Sequence, residues 1–411
     1  MWMPVIGGCR GPTLPAGSTD PIIIGAVLPL SGELGGDGER YRDGMLLAIR
    51  EVNAAGGPLA GRRVELRVAD SETDPVIGSM AAADLIAQGA VAILGDASSA
   101  STLAIYEEVT AMARVPQISC TSTSALLTEA NSSRAEADRF FFRTAPTDLL
   151  QARVVVDIAT TEAMCTRLAI LHIADGYGMP LGQAIESLYT SGGGTVAVRV
   201  PFALNRPDYN AEVDMVRAAN PDCVALVAYP PAAGLIVRRW NSLAPMAVDF
   251  IGTDALNTVD FVSQAGSAAA IDGFYGTVPF TTPATPQFNA FADRLEAVSG
   301  MEPQPFQSSC YDAAAMLMLA IAQAGDTDGD MIRDALRGLS DPGATEVIGA
   351  TELTLGLSRI NSGRTVNYAG ASGPVDFDLF GDVLSDYEVW RFRASDMTFS
   401  RVRIVRSEDL L

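Results

Sequence analysis

Two clusters of small hydroxyl residues, Ser98, Ser99, Ser101 and Thr102, then Thr121, Ser122, Thr123 and Ser124, each follow a short apolar run. Hydroxyls and the free N–H groups at a helix start can donate to an anion, most simply a carboxylate. The same residue types also serve as plain helix caps, which is their commonest use. Their recurrence after two successive strands points to a site, because ligands of an open parallel sheet bind beyond the carboxyl ends of its strands. Other chemistries are poorly supported. The single histidine, His172, lies inside a strand-like run, and there is no Gly-x-Ser-x-Gly elbow or Walker loop. Gly32, Gly35, Gly36 and Gly38 do not compose G-x-G-x-x-G, and Glu33 and Asp37 among them would repel a pyrophosphate. Asp326-Thr-Asp-Gly-Asp330 resembles a calcium loop but lacks its sixth-position glycine and twelfth-position glutamate, so Asp330 reads as the N-cap of a helix over 331–336. The expectation is a non-enzyme with no cofactor and no metal.

The elements that would carry these clusters follow from periodicity. Ile22–Leu28 (IIIGAVL) is β-branched and non-alternating, as a parallel strand covered on both faces must be. Tyr41, Met45, Ala48, Ile49 and Val52 then repeat at helical spacing up to Gly56-Gly57. A second strand over 64–69, a helix over 76–88, and strands over 91–94 and 116–119 continue the alternation, and 140–144 closes it near Pro146. The series restarts with strands over 168–173, 195–200 and 223–229 and helices over 181–189, 209–219 and 232–243. Strand ends are read over 250–254 and 273–278, a long apolar helix over 311–324, turns over 367–378, and a terminal hairpin over 387–392 and 398–405. Such alternation means parallel sheets with helices on both faces. At 411 residues the chain suits two domains of roughly 150–200 residues. The expected fold is α/β, with two doubly wound, Rossmann-like lobes and a ligand cleft between them.

Apolar residues make up 48% and charged residues 19%, which allows two packed cores, and the net charge of −21 argues against nucleic acid or an anionic membrane surface as partner. No run of eighteen apolar residues is present. Val5-Ile6-Gly7-Gly8-Cys9 resembles a bacterial lipoprotein cleavage box, making Cys9 a lipidation candidate and residues 1–19 a signal remnant and tether. Only eight residues precede Cys9, fewer than a full signal needs, so either the start lies upstream or the match is fortuitous. The other cysteines, at 120, 165, 223 and 310, form no CxxC and fit an oxidising compartment. Cys165 and Cys223 flank strands that are neighbours in the usual doubly wound order, so they form either a disulfide or buried free thiols.

The ordered set IGAVLPLSGELG, AIREVNAAGGPLAGRRVEL, GDASSASTLA, VPQISCTSTSALLT, FFRTAPTD, DGYG, PDCVALVAYP, FIGTDAL, CYDAAAMLMLAI and NYAGASGPVDFD resembles the type I periplasmic solute-binding proteins of the branched-chain amino acid (Leu/Ile/Val) group, receptors of ABC importers. It covers nearly all of residues 22–392. The resemblance implies lobes over 20–145 plus 280–380 and 146–279 plus 381–411, joined by three crossings. It implies a monomer outside the cytoplasm that closes on an amino acid or related carboxylate and presents it to a permease; a sensing receptor with the same clamp is the nearest alternative, and an amidohydrolase or nucleotide-dependent enzyme a more distant one. By the same resemblance Ser98, with Ser99 beside it, binds the ligand carboxylate, Thr123 touches carboxylate and ammonium, and Thr121 offers its carbonyl to the ammonium. Asp148 and Tyr177 line the cleft, Tyr229 closes over the ligand, and Asp254 pairs with the ammonium. One departure stands out: Gly35-Gly36-Asp37-Gly38 replaces the aromatic often placed against the ligand side chain, which leaves that pocket larger or more polar.

Overall fold

The computed structural model describes residues 20–59, 61–280, 285–341, 343–344 and 346–410; Cys9 and the tether lie outside them. Five parallel strands, β1 (Ile22–Leu28), β2 (Val64–Asp70), β3 (Ala90–Gly95), β4 (Gln117–Ser119) and β5 (Phe141–Arg143), make the first sheet in the order β2-β1-β3-β4-β5. β1 does not alternate because both of its faces are covered. On one side the helix Gly38–Ala54 packs Met45, Ala48, Ile49 and Val52 into the core with Ile22, Ile24 and Ala26. On the other, Ala82 and Leu85 of the helix Pro75–Ala87 meet Val27 and Ile93. Each fully buried aliphatic side chain of this kind contributes roughly 1.5–3 kcal/mol.

The second sheet repeats the plan. β6 (Arg167–Ile173), β7 (Thr195–Phe202), β8 (Cys223–Val227), β9 (Asp249–Gly252) and β10 (Tyr275–Pro279) run parallel in the order β7-β6-β8-β9-β10. Two strands, β11 (Glu346–Gly349) and β12 (Val366–Ala369), form a separate parallel pair. The hairpin β13 (Tyr387–Arg393) and β14 (Thr398–Val405) then adds antiparallel strands beyond β10, so the second sheet is mixed rather than wholly parallel. Between β10 and β13 the chain returns to the first sheet's side, where the helix Gln307–Ala324 lies along the helix Gly38–Ala54. Gly44 permits that approach, since a Cβ there would stand 2.5 Å from the Gln307 carbonyl oxygen.

Two sequence expectations are corrected. Asp328, not Asp330, caps the helix Gly329–Gly338, its side chain accepting from the N–H groups of Asp330 and Met331; Asp330 instead pairs with Arg114 and Arg333. The stretch read as turns from Asn367 begins inside β12, where pairing with β11 outweighs the weak local strand signal, and the turns start at Gly370. Leu168 and Cys223 are register partners in β6 and β8, and Cys165 is joined to Cys223 with Cα atoms 5.8 Å apart. A second disulfide joins Cys120 to Cys310 with Cα atoms 4.8 Å apart, tying the end of β4 to the long helix.

Candidate functional site

The hydroxyl clusters divide into two jobs. Ser119 Oγ donates to the Asp96 carbonyl at 2.8 Å and accepts from Ser122 N at 3.0 Å, while Ser122 Oγ and Thr102 Oγ1 are 2.7 Å apart. These hydroxyls fix the loops after β3 and β4 to each other. Ser99, Thr121 and Thr123 instead line a cavity of about 50 Å³ between the lobes. Ser99 starts the helix Ser99–Ile105, so this wall combines hydroxyls with free helix N–H groups. Ser98 is the N-cap residue but makes no side-chain cap bond, and it is buried outside the cavity lining. Of the adjacent pair, Ser99 is the one brought to the cavity.

The facing wall comes from the carboxyl ends of β6, β8 and β9. Tyr177 and Tyr229 stack with ring centroids 5.8 Å apart and planes within 5°. Asp254 Oδ1 accepts from Gln151 Nε2 at 2.9 Å and from the Tyr177 hydroxyl at 2.8 Å. Burial raises the Asp254 carboxyl pKa, and the Gln151 and Tyr177 bonds pull it back only in part. A cation in the cavity would relieve that penalty. Asp148 is fully buried behind the wall rather than lining it, and burial, together with the nearby Asp254 charge, pushes its carboxyl well above the ordinary range. His172 is also away from the cavity; its Nδ1 lies 2.9 Å from the Ile173 carbonyl and its Nε2 3.1 Å from Arg199. The described residues with metal-ligand spacing, Cys165, Asp222 and Cys223, have both sulfurs committed to the disulfide.

Apart from Asp37, whose Gly-rich tract was expected beside the ligand side chain, sequence reasoning missed the remaining residues of the cavity. Asp37 and Arg40 line it, with Tyr41, Gln304, Pro305 and Phe306. Arg40 Nη2 pairs with Asp37 on its own lobe and with Asp260 Oδ2, 3.1 Å away on the other. Gly36 leaves room for this contact, because a Cβ there would fall 2.2 Å from Asp260 Oδ2. Arg40 and Arg42 look alike in an amphipathic helix; only the contact with Asp260, 220 residues away, sets Arg40 apart. Two further bonds cross the cleft, Ser124 Oγ to the Gly176 carbonyl at 2.6 Å and Asn205 N to Glu33 Oε1 at 3.3 Å. The lobes are therefore in contact around the cavity.

Residues 21–355 match the sequence model of the periplasmic binding protein family. The chain is 27% identical over 374 residues to the chemotactic signal transduction system substrate-binding protein BasB of Halobacterium salinarum, spanning 89% of this chain and 86% of that one. It is 27% identical over 317 residues to the Leu/Ile/Val-binding protein BraC3 of Rhizobium johnstonii, spanning 77% and 83%. The crystal structure of the leucine binding protein LivK from Thermotoga maritima superposes with a TM-score of 0.79 at 22% identity, covering 94% of this chain and 99% of that one, a likeness of fold.

Proposed function

The chain belongs to the periplasmic binding protein family, and from that premise we propose that it is the extracytoplasmic substrate-binding protein of an ABC importer that closes on an α-amino acid. The observation that carries this reading is the opposition of two walls across one cavity. Ser99, at the start of its helix and beside Thr123, offers a donor suited to a carboxylate; Thr121, whose hydroxyl donates to the Ala97 carbonyl, has its own carbonyl to offer an ammonium, and Asp254, oriented by Gln151 and Tyr177, offers a buried anion suited to the same ammonium. A zwitterion satisfies both at once. Ser98 and Asp148 are assigned supporting places behind these walls. Proposed lobe limits are 20–145 with 280–380 and 146–279 with 381–411, supported by the chain's passages between the two sheets.

The test is a thermal-shift and calorimetric screen of the domain from Asp20 onward against amino acids, amides, carboxylates and sugars. An α-amino acid is expected to raise the melting temperature by mass action. Asp254→Ala is expected to weaken it at least about 30-fold, the low end of the ~2–5 kcal/mol for removing one partner of a buried charged pair. Binding confined to carboxylates without an amine would remove the ammonium role from Asp254.

Sensing is the second reading, favoured by the likeness to a chemotactic substrate-binding protein over 89% of the chain. Loss of ligand uptake in cells lacking this protein supports transport; loss of taxis with uptake intact supports sensing. Anchoring at Cys9 by a lipid is proposed from Val5-Ile6-Gly7-Gly8-Cys9 alone, and a Cys9→Ala chain that stays in the membrane fraction would exclude it. A monomeric state is proposed from the resemblance; a second-copy mass in sedimentation would overturn it.

A further inference from the structure

Around Asp37 and Arg40 of the cavity lining the charge is unbalanced. Asp37 and Asp260 both face Arg40, so two carboxylates share one guanidinium. Arg40 reaches the Asp37 carboxylate through Oδ1, and among the described residues no hydrogen bond is made to its Oδ2. Burial raises the Asp37 carboxyl pKa even with Arg40 against it, and Asp260 raises it further. The surrounding surface is apolar and aromatic, from Leu34, Tyr41, Pro305 and Phe306.

Resting on the reading of the site as an α-amino acid clamp, we propose that this cavity selects amino acids whose side chain ends in a second positive charge, with Asp37, which lines the cavity, as the specificity-determining anion and Asp260, outside the lining, drawing on the same Arg40. A ligand's α-carboxylate and ammonium are neutral as a pair and are taken by the two walls, which leaves the side chain to meet the excess carboxylate. An aliphatic side chain would cover these groups without compensating them, and burying a charge without a partner is costly. A carboxylate side chain would meet Asp37 as a like charge. A basic side chain fits both features of this region: its methylene stem suits the apolar surface, and its cationic head suits Asp37 and the aromatic rings. The Gly35-Gly36-Asp37-Gly38 tract makes room for this arrangement where an aromatic would otherwise stand, since Gly36 lets Asp260 close in.

The experiment is calorimetric titration of the full chain with lysine, ornithine, arginine, leucine, glutamine and glutamate at low and high salt. Basic amino acids are expected to bind at least tenfold more tightly than leucine, glutamate most weakly, and the advantage is expected to shrink at high salt. Asp37→Asn should reduce that advantage by tenfold or more, read as the ratio of lysine to leucine affinity in the variant against the same ratio in the native chain. Circular dichroism and the unliganded melting temperature of the variant check its fold. Leucine or glutamate binding as tightly as lysine to the native chain overturns the proposal while leaving the α-amino acid clamp intact. If no α-amino acid binds, the clamp reading itself fails, and this inference with it.

Discussion

Tyr177 decides how Asp254 is presented. Its hydroxyl stands 2.8 Å from Asp254 Oδ1 and 2.9 Å from Thr253 Oγ1. A carboxylate oxygen only accepts, so the Tyr177 proton points to Asp254 and Thr253 donates to Tyr177. Tyr177→Phe keeps the stacking on Tyr229 but removes that donor, and a hydrogen bond to a charged group contributes about 1.5–3 kcal/mol. The expected result is roughly a tenfold or greater loss of amino acid affinity by calorimetry with little change in the unliganded melting temperature. Unchanged affinity would mean that Asp254 is not held by Tyr177 in the liganded state. A second consequence concerns pH. Because burial raises the Asp254 carboxyl pKa, affinity for an ammonium should fall as pH drops, beginning above the ordinary carboxylate range, and Asp254→Asn should bind weakly with no such dependence. At this scale the sequence was informative where chemistry repeats locally. Two hydroxyl clusters after two strands marked one wall, although spacing could not separate Ser98 from Ser99. The Asp37, Arg40 and Asp260 group had no local signal, because its meaning arises only when the lobes meet.

The loop after β4 reaches the cavity because three different elements hold it. Cys120, at its start, is bonded to Cys310 of the helix Gln307–Ala324. Arg143, at the end of β5 and fully buried, donates to the Ser124 carbonyl at 2.9 Å and the Ser122 carbonyl at 3.3 Å. Its Nε pairs with Asp382 Oδ1 at 2.7 Å, just before the chain enters β13. Arg143 thus joins the ligand-facing loop to a passage between the lobes. Arg143→Met leaves Asp382 without its buried partner and is expected to destabilise the protein by about 3–5 kcal/mol in urea unfolding. Adding Asp382→Leu should recover part of that loss; a double variant as unstable as the sum of the two single variants would show that the pair is not coupled. The β-branched runs of β1, β3, β6 and β8 were legible as buried strands because their burial is uniform on both faces. The helix Asp148–Thr161 was not, since its Val154-Val155-Val156 run has strand character that tertiary packing of Val154, Val155 and Ile158 overrides. The helix Pro286–Ser299 was missed as well, although Thr285 caps it and Pro286 opens it in the usual manner.

Across the whole molecule, buried carboxyl groups set how the fold responds to pH. Burial pushes Asp96 up to about 6 against its hydrogen bonds from Ser71, Ala97 and Ser101. It does the same to Asp312, also about 6, although Tyr368, Ala371 and Ser372 donate to that carboxylate. Both pKa values lie above the unfolded value, near 3.9. The folded chain therefore holds more protons than the unfolded one between about pH 4 and 6, and the stability these groups contribute is present at low pH and lost as pH rises through 6. Lowering pH from 7.5 to 5 also reduces the repulsion within a chain of net charge −21. Opposing terms are His172, whose pKa burial lowers from 6.5 so that acid disfavours its buried neutral ring, and, at lower pH, Asp70, Asp222 and Glu162, whose pKa values are lowered by their hydrogen bonds and which lose them on protonation. Calorimetric melting of the unliganded protein should accordingly show stability rising as pH falls from 7.5 to 5, with Asp96→Asn flattening that rise by an amount of order 1–3 kcal/mol. Stability that climbs steadily from pH 5 to 8 would contradict this. Ligand affinity should move the other way as pH falls, because burial raises the pKa of the Asp254 carboxyl that holds the ammonium, so acid discharges it sooner than an ordinary carboxylate. Stability and binding thus respond oppositely to acid, a divergence expected when the buried acids of the scaffold and of the cleft are both held above their ordinary pKa values.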